Sequence, residues 1–167
     1  PLATAKNFRP VVLLTYAVQR WTTGTDPLPF HVVNVALHVA TTLLFAAWLL
    51  ALGMPRAPSI AAGALFAVVP IHVEAVTGLV GRAELLVALL VFLSALLFRR
   101  ATDGARLGAF PYSMALLAFL LAVFTKENAV VLPRVVVLGE LLRRDTAEPL
   151  QARLRRKALP AAGFLAP

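Results

Sequence analysis

Residues 70–84 read Pro-Ile-His-Val-Glu-Ala-Val-Thr-Gly-Leu-Val-Gly-Arg-Ala-Glu, which sets His72, Glu74, Arg82 and Glu84 between two runs of almost pure hydrocarbon. A second polar break, Thr125-Lys126-Glu127-Asn128, interrupts the apolar sequence further on. Ionisable groups at or near membrane depth are costly and usually face a cavity, a partner or a substrate. On a helix Arg82 and Glu84 lie at i, i+2 and do not face each other. Lys126 and Glu127 are adjacent and diverge by about 100°. Neither pair can neutralise itself locally, so each charge needs a distant partner, a ligand or water. A phosphate-bearing ligand suits Arg82 and Lys126, since guanidinium and ammonium groups bind phosphate oxygens well. If 74–82 is helical, Glu74, Gly78 and Arg82 share one face at i, i+4 and i+8, and Gly78 admits close approach to it.

Plainer roles compete for the same residues. Arg82 near the end of a span can snorkel to the interface. Glu84 can answer a helix dipole, and Lys126-Glu127 can be a simple interhelical loop. His31 and His38, seven apart on one helical face, read as packing or hydrogen-bonding residues rather than metal ligands. His72 with Glu74 supplies two ligands without a third, a weak metal signal. Arg134, after Pro133 in a short apolar run, either snorkels or marks a kink. No Ser-His-Asp set, P-loop or dinucleotide-binding glycine pattern is present, and no internal repeat is visible.

The elements that must hold these residues are membrane helices. Of 167 residues, 60% are hydrophobic and 14% charged, against roughly a quarter charged in soluble domains, and the mean hydropathy is +0.83. The formal charge of +8 does not indicate nucleic acid, because the basic residues form short clusters between apolar runs with no aromatic platform. Cysteine is absent, which excludes disulfides, thiolate metal sites and Cys nucleophiles. The predicted architecture is an all-α polytopic membrane bundle of about five transmembrane helices plus an N-terminal juxtamembrane helix. Residues 1–28 form a juxtamembrane, extracytoplasmic segment, with Arg20 and Trp21 at headgroup level. Residues 29–144 form the bundle, with spans at 29–52, 59–70, 81–98, 107–125 and 129–142 and a charged loop from Arg99 to Arg106. Residues 145–167 form a basic cytoplasmic loop and the start of a further span. Several spans fall short of roughly 20 residues, which favours polar segments that enter helices and line a cavity. Alternate loops share a side. The set holding Arg56, Arg99–Arg106 and Arg143–Lys157 carries most of the Lys and Arg and belongs in the cytoplasm. Both polar segments then face the opposite side. The chain starts with Pro1, shows no signal peptide and turns apolar again at its end, as expected of an internal piece of a longer protein.

Five blocks in order carry a resemblance: Phe8-Arg9-Pro10, Phe30-His31-Val32-Val33-Asn34-Val35-Ala36-Leu37-His38, Pro70-Ile71-His72-Val73-Glu74-Ala75-Val76, Gly78-Leu79-Val80-Gly81-Arg82-Ala83-Glu84, and Lys126-Glu127-Asn128 leading to Leu132-Pro133. Together they resemble the membrane core of the transmembrane and tetratricopeptide repeat-containing proteins, GT-C type glycosyltransferases similar to protein O-mannosyltransferases. The resemblance runs to about Arg144, and its most specific block ends in Gly81-Arg82-Ala83-Glu84. It departs from the family at Val69, where His is frequent, and at Phe8, where Tyr is usual.

The resemblance implies inverting transfer of a sugar, such as mannose, from a polyprenyl-phosphate donor to an acceptor hydroxyl of a protein or glycan. The transfer takes place on the extracytoplasmic or lumenal face, in a bacterial inner membrane or the endoplasmic reticulum. It implies that Arg82, Lys126 and Arg9 bind the donor phosphate and that His72, Glu74, Glu84 and Glu127 line the cavity. The family's acidic catalytic motif lies upstream of the Arg-Pro block, so the catalytic residue is expected before residue 1 and this fragment is expected to be inactive alone. No cofactor is specified, and a divalent metal is left open. A longer parent would carry tetratricopeptide repeats. The alternatives are a polytopic transporter or flippase whose pathway the same charges line, and a non-catalytic membrane module.

Overall fold

The structure is a computed structural model that describes residues 9–104, 106–143 and 148–164. Among the described residues all regular structure is helical, with eight α-helices: α1 (Pro10–Thr23), α2 (Pro27–Ala51), α3 (Arg56–Val68), α4 (Val73–Thr77), α5 (Arg82–Thr102), α6 (Ala109–Thr125), α7 (Leu132–Leu142) and α8 (Leu150–Ala162). Short 3-10 turns at Pro70–His72, Leu79–Gly81 and Glu127–Val131 lie between them. Phe8 and Arg144, Asp145, Thr146 and Ala147 lie outside the described residues.

Two helices, α2 and α5, are long and apolar enough to cross a membrane, and α3 with its continuation through Thr77 makes a third if that bent pair is one span. The bend is 50°. Its cause is Pro70, which pushes Val69 into an extended conformation (φ −62°, ψ 125°) and ends α3. At 21 residues, α5 is about 32 Å long at 1.5 Å per residue, close to the hydrocarbon thickness of a bilayer. The 17 residues of α6 reach about 26 Å and the 11 of α7 about 17 Å. The result is an all-α membrane bundle whose shorter members enter from polar breaks.

The core is built around α5. Val87, Leu90, Val91, Ala95 and Phe98 of α5 pack with Trp48 and Leu49 of α2 and Leu52 at its C-cap, with Ala115 and Ala122 of α6, and with Leu132 of α7. Small residues let α5 and α6 approach closely. Ala115, Ala118, Ala122 and Thr125 are buried at helical spacing on α6, and the Ser94 hydroxyl donates across to the Ala115 carbonyl at 2.8 Å. Asp26 caps α2 by accepting from the Leu28 amide at 3.1 Å. Gly53, at φ 80°, turns the chain after α2.

Three expectations are corrected. Arg99 and Arg100 are not in a loop; α5 carries them in its last turn. Basic side chains suit the negative end of a helix, and Arg99 pairs with Asp103 at i+4 (3.0 Å). Segment 129–142 is not one helix. It divides into the turn Glu127–Val131 and α7, with Pro133 in the first turn of α7, where proline starts a helix rather than kinking it. The basic tail is not simply a loop: 150–162 form α8, which docks through buried Arg153 and Lys157.

Candidate functional site

The polar residues of interest gather where α5 begins. The chain 74–82 is not one helix. After α4, Gly78 is extended (ψ 134°), and Leu79–Gly81 then make a 3-10 turn into α5. Glu74 and Arg82 therefore do not share a helical face. Gly81 sits so tightly against α4 that an added Cβ would overlap the Ala75 backbone, and a Cβ at Gly78 would lie 2.9 Å from the Glu74 carbonyl oxygen. The two glycines are what let the chain fold back and bring the first turn of α5 beneath α4.

Arg82 is fully buried. Its Nε donates to Asn34 Oδ1 at 3.0 Å and its Nη2 to the Phe30 carbonyl at 3.2 Å. Its guanidinium carbon lies 4.5 Å from the Tyr16 ring centre and 5.5 Å from that of Phe30. Asn34, also fully buried, donates its Nδ2 to the carbonyls of Val76 (3.3 Å) and Gly78 (3.2 Å). One amide thus fastens α2 to the α4–α5 connection and fixes the orientation of Arg82. Among the described residues every partner of Arg82 is neutral, no carboxylate pairs with it, and its Nη1 is buried without a hydrogen-bond partner.

Arg82 forms one wall of an open groove of about 740 Å³ between α1 and α2. Leu14, Val18, Leu28, Val32 and Val33 make the groove apolar, and Gln19 of α1 also lines it. On the other side of the α5 N-terminus lies a cleft of about 450 Å³, lined by Arg9, Glu74 and Glu84 with Ile71, Gly78 and Gly81. Lys126, which caps the C-terminus of α6, pairs directly with Glu84 there. Arg9 Nη2 lies 3.9 Å from Glu127 Oε1.

The structure therefore brings Arg9, Glu74, Glu84, Lys126 and Glu127 around one end of the bundle, with Arg82 buried behind them on a separate groove. His72 is turned elsewhere, its ring 4.4 Å from Phe66 and 5.3 Å from His38, whose Nε2 lies 3.1 Å from the Ala67 carbonyl oxygen. Among the described residues no three His, Cys, Asp or Glu are grouped to hold a metal ion. Tyr16 and Gln19 carry no role in the sequence reading, and Asn34 enters it only within the resemblance block that runs from Phe30 to His38. The signal available was an Asn in an apolar helix and a Gln beside another, polar groups that must find partners if buried.

At the far end of α5 a second ionic cluster forms. Lys157 reaches both Asp103 (2.9 Å) and Glu140 (2.7 Å), Arg153 reaches Glu140 (3.3 Å), and Arg143 reaches Asp103 (2.8 Å). Burial raises the pKa of Asp103. The hydrogen bond from Lys157 and the charges of Lys157, Arg99 and Arg143 lower it by more, so its carboxyl titrates below the ordinary value.

Apolar helices of spanning length, with charge confined to their two ends, define an integral membrane protein. The chain is 39% identical over 121 residues to human protein O-mannosyl-transferase TMTC1, which covers 71% of this chain and 14% of that protein. It is 36% identical over 127 residues to human protein O-mannosyl-transferase TMTC3, 75% of this chain and 14% of that one. It is 37% identical over 124 residues to Drosophila melanogaster protein O-mannosyl-transferase Tmtc1, 74% of this chain and 14% of that one. The chain is a TMTC-like protein, homologous to a segment about one-seventh the length of these relatives. No protein-family model matches it, and no solved structure does.

Proposed function

We propose that this chain is part of the membrane core of a glycosyltransferase of the GT-C type, moving a sugar, mannose by analogy with the relatives' names, from a polyprenyl-phosphate donor to an acceptor hydroxyl. The observation that carries the proposal is Arg82. A fully buried guanidinium with neutral partners alone is costly unless an anion answers it. The groove it faces is apolar enough for a lipid chain. A lipid-borne phosphate satisfies both demands. Arg82 would then stabilise the phosphate as its charge grows when the sugar leaves. Glu84 and Arg9, paired with Lys126 and Glu127, line the adjoining polar cleft, toward which the acceptor would come. The charge distribution supports an extracytoplasmic or lumenal position for this end, since Arg99, Arg100, Arg143, Arg153 and Lys157 gather at the other. The catalytic base belongs to another part of the full protein.

The test is sugar transfer by the full-length protein, using defined polyprenyl-phosphate sugars. Arg82→Lys, which retains charge but loses the fork held by Asn34 and Phe30, should lower kcat at least tenfold while the protein still accumulates. Lys126→Ala should do likewise. Normal transfer by both variants would remove the phosphate role.

A further inference from the structure

The α1–α2 groove contains a second unsatisfied group besides Arg82. Gln19 is 7% exposed, and both its side-chain polar atoms, Nε2 and Oε1, are buried without a hydrogen-bond partner among the described residues. The other polar residues lining the groove are already satisfied locally. Thr15 donates to the Val12 carbonyl (2.7 Å), Thr22 to that of Gln19 (3.0 Å) and Thr23 to the same oxygen (2.9 Å). Two residues that line this otherwise apolar groove thus hold three atoms that are buried and unpartnered among the described residues, a cationic donor (Arg82 Nη1), a neutral donor (Gln19 Nε2) and a neutral acceptor (Gln19 Oε1), and an occupant reaches them once the side chains turn toward it.

The three atoms specify the chemistry of an occupant. An ionised phosphate offers acceptors only, so it satisfies Arg82 Nη1 and at most the amide nitrogen of Gln19. Gln19 Oε1 would stay unpaired, and a buried unpaired acceptor weakens binding. A hydroxyl both donates and accepts, and therefore completes the set. The complementary ligand is an apolar chain bearing an anion, with a hydroxylated head next to that anion. We infer that Gln19 is a specificity-determining residue of this groove, reading a hydroxyl carried beside the anion that Arg82 receives; this rests on the donor-lipid assignment above. Gln19 would then separate a glycosylated polyprenyl phosphate from the bare polyprenyl phosphate left after transfer. It favours entry of donor over retention of product.

The experiment measures competitive binding of two lipids, polyprenyl phosphate with and without an attached hexose, to the full-length protein in nanodiscs. The parent should prefer the glycosylated lipid. Gln19→Met, of similar size but apolar, should reduce that preference roughly tenfold, the equivalent of one or two hydrogen bonds, with little change for the bare lipid. Equal parent affinities, or a preference that survives Gln19→Met, would overturn the role of Gln19. A lowered melting temperature with an unchanged preference would also overturn it, since it would mean that another segment of the protein satisfies the amide. If Gln19→Met does not fold, Gln19→Glu serves. Its carboxylate would compete for Arg82 and weaken both lipids, and unchanged affinities would overturn the proposal. Arg82→Gln separates the two layers. It should weaken both lipids alike, and if it weakens neither, the anion assignment itself falls.

Discussion

At the scale of single residues, the molecule turns on one long-range polar contact. Arg82 and Asn34 are 48 positions apart, and Asn34 reaches a further two carbonyls 42 and 44 positions away. The chemistry that marks Arg82, a cation at the edge of an apolar run, is legible in the sequence. Its partner is not, because only the fold brings the two together. The same holds for Glu84 and Lys126, which the sequence showed could not pair locally and which meet across 42 residues. Asn34→Leu removes one hydrogen bond to a buried cation and leaves two carbonyls short. Such a loss costs about 3 kcal/mol or more. The variant should therefore unfold at markedly lower temperature in thermal denaturation of the purified protein. Asn34→Asp should keep the contact to Arg82 but neutralise its charge. Because a carboxylate cannot donate to the Val76 and Gly78 carbonyls, it should be less stable than the parent as well, but the protein that remains folded should have lost phosphate binding, an outcome that a purely structural role for Asn34 would not produce.

At the scale of elements, apolar runs located most helices and polar breaks located their ends. Boundaries failed where ionic or proline chemistry overrode hydropathy. Arg99 and Arg100 extend α5 because Asp103 answers Arg99 and the helix dipole favours cations there. Pro133 opens α7 instead of bending a longer helix. The α5–α6 hairpin rests on a feature that apolar runs cannot show, which residues face inward. Ala115 and Ala122 have no exposed surface and lie against α5. Ala122→Leu should force the two helices apart, an overpacking worth about 1–3 kcal/mol. Leu121→Ala, at a partly exposed neighbouring position, should be nearly neutral. Protease resistance of the two variants in detergent distinguishes them.

At the scale of the whole molecule, α5 is a strut with ionic clusters at both ends. One pairs Glu84 with Lys126 near its N-terminus, and the other ties Asp103 at its C-terminus to Arg143, Lys157 and, through Lys157, to Glu140. The segregation of charge was visible as alternating basic loops. The docking of α8 was not, because buried Arg153 and Lys157 read in sequence as solvated tail residues. Asp103 has a folded-state pKa below its ordinary value. Its contribution to stability is therefore complete above the unfolded value of about 4 and is lost only as pH falls through the lower folded value. Asp103→Asn should accordingly be less stable than the parent at pH 7. The gap should close as both are titrated below about pH 4, and a gap constant down to pH 2 would show that the charge is not what matters.

The account stands on Arg82 receiving a lipid-borne anion, and a structure of the full-length protein with a non-transferable polyprenyl-phosphate sugar bound tests this most directly. Phosphate oxygen within hydrogen-bond distance of Arg82 Nη1, with the lipid chain along Leu14, Val18 and Val32, is the predicted result. A carboxylate from another segment of the protein paired with that nitrogen, and the lipid bound elsewhere, would contradict it.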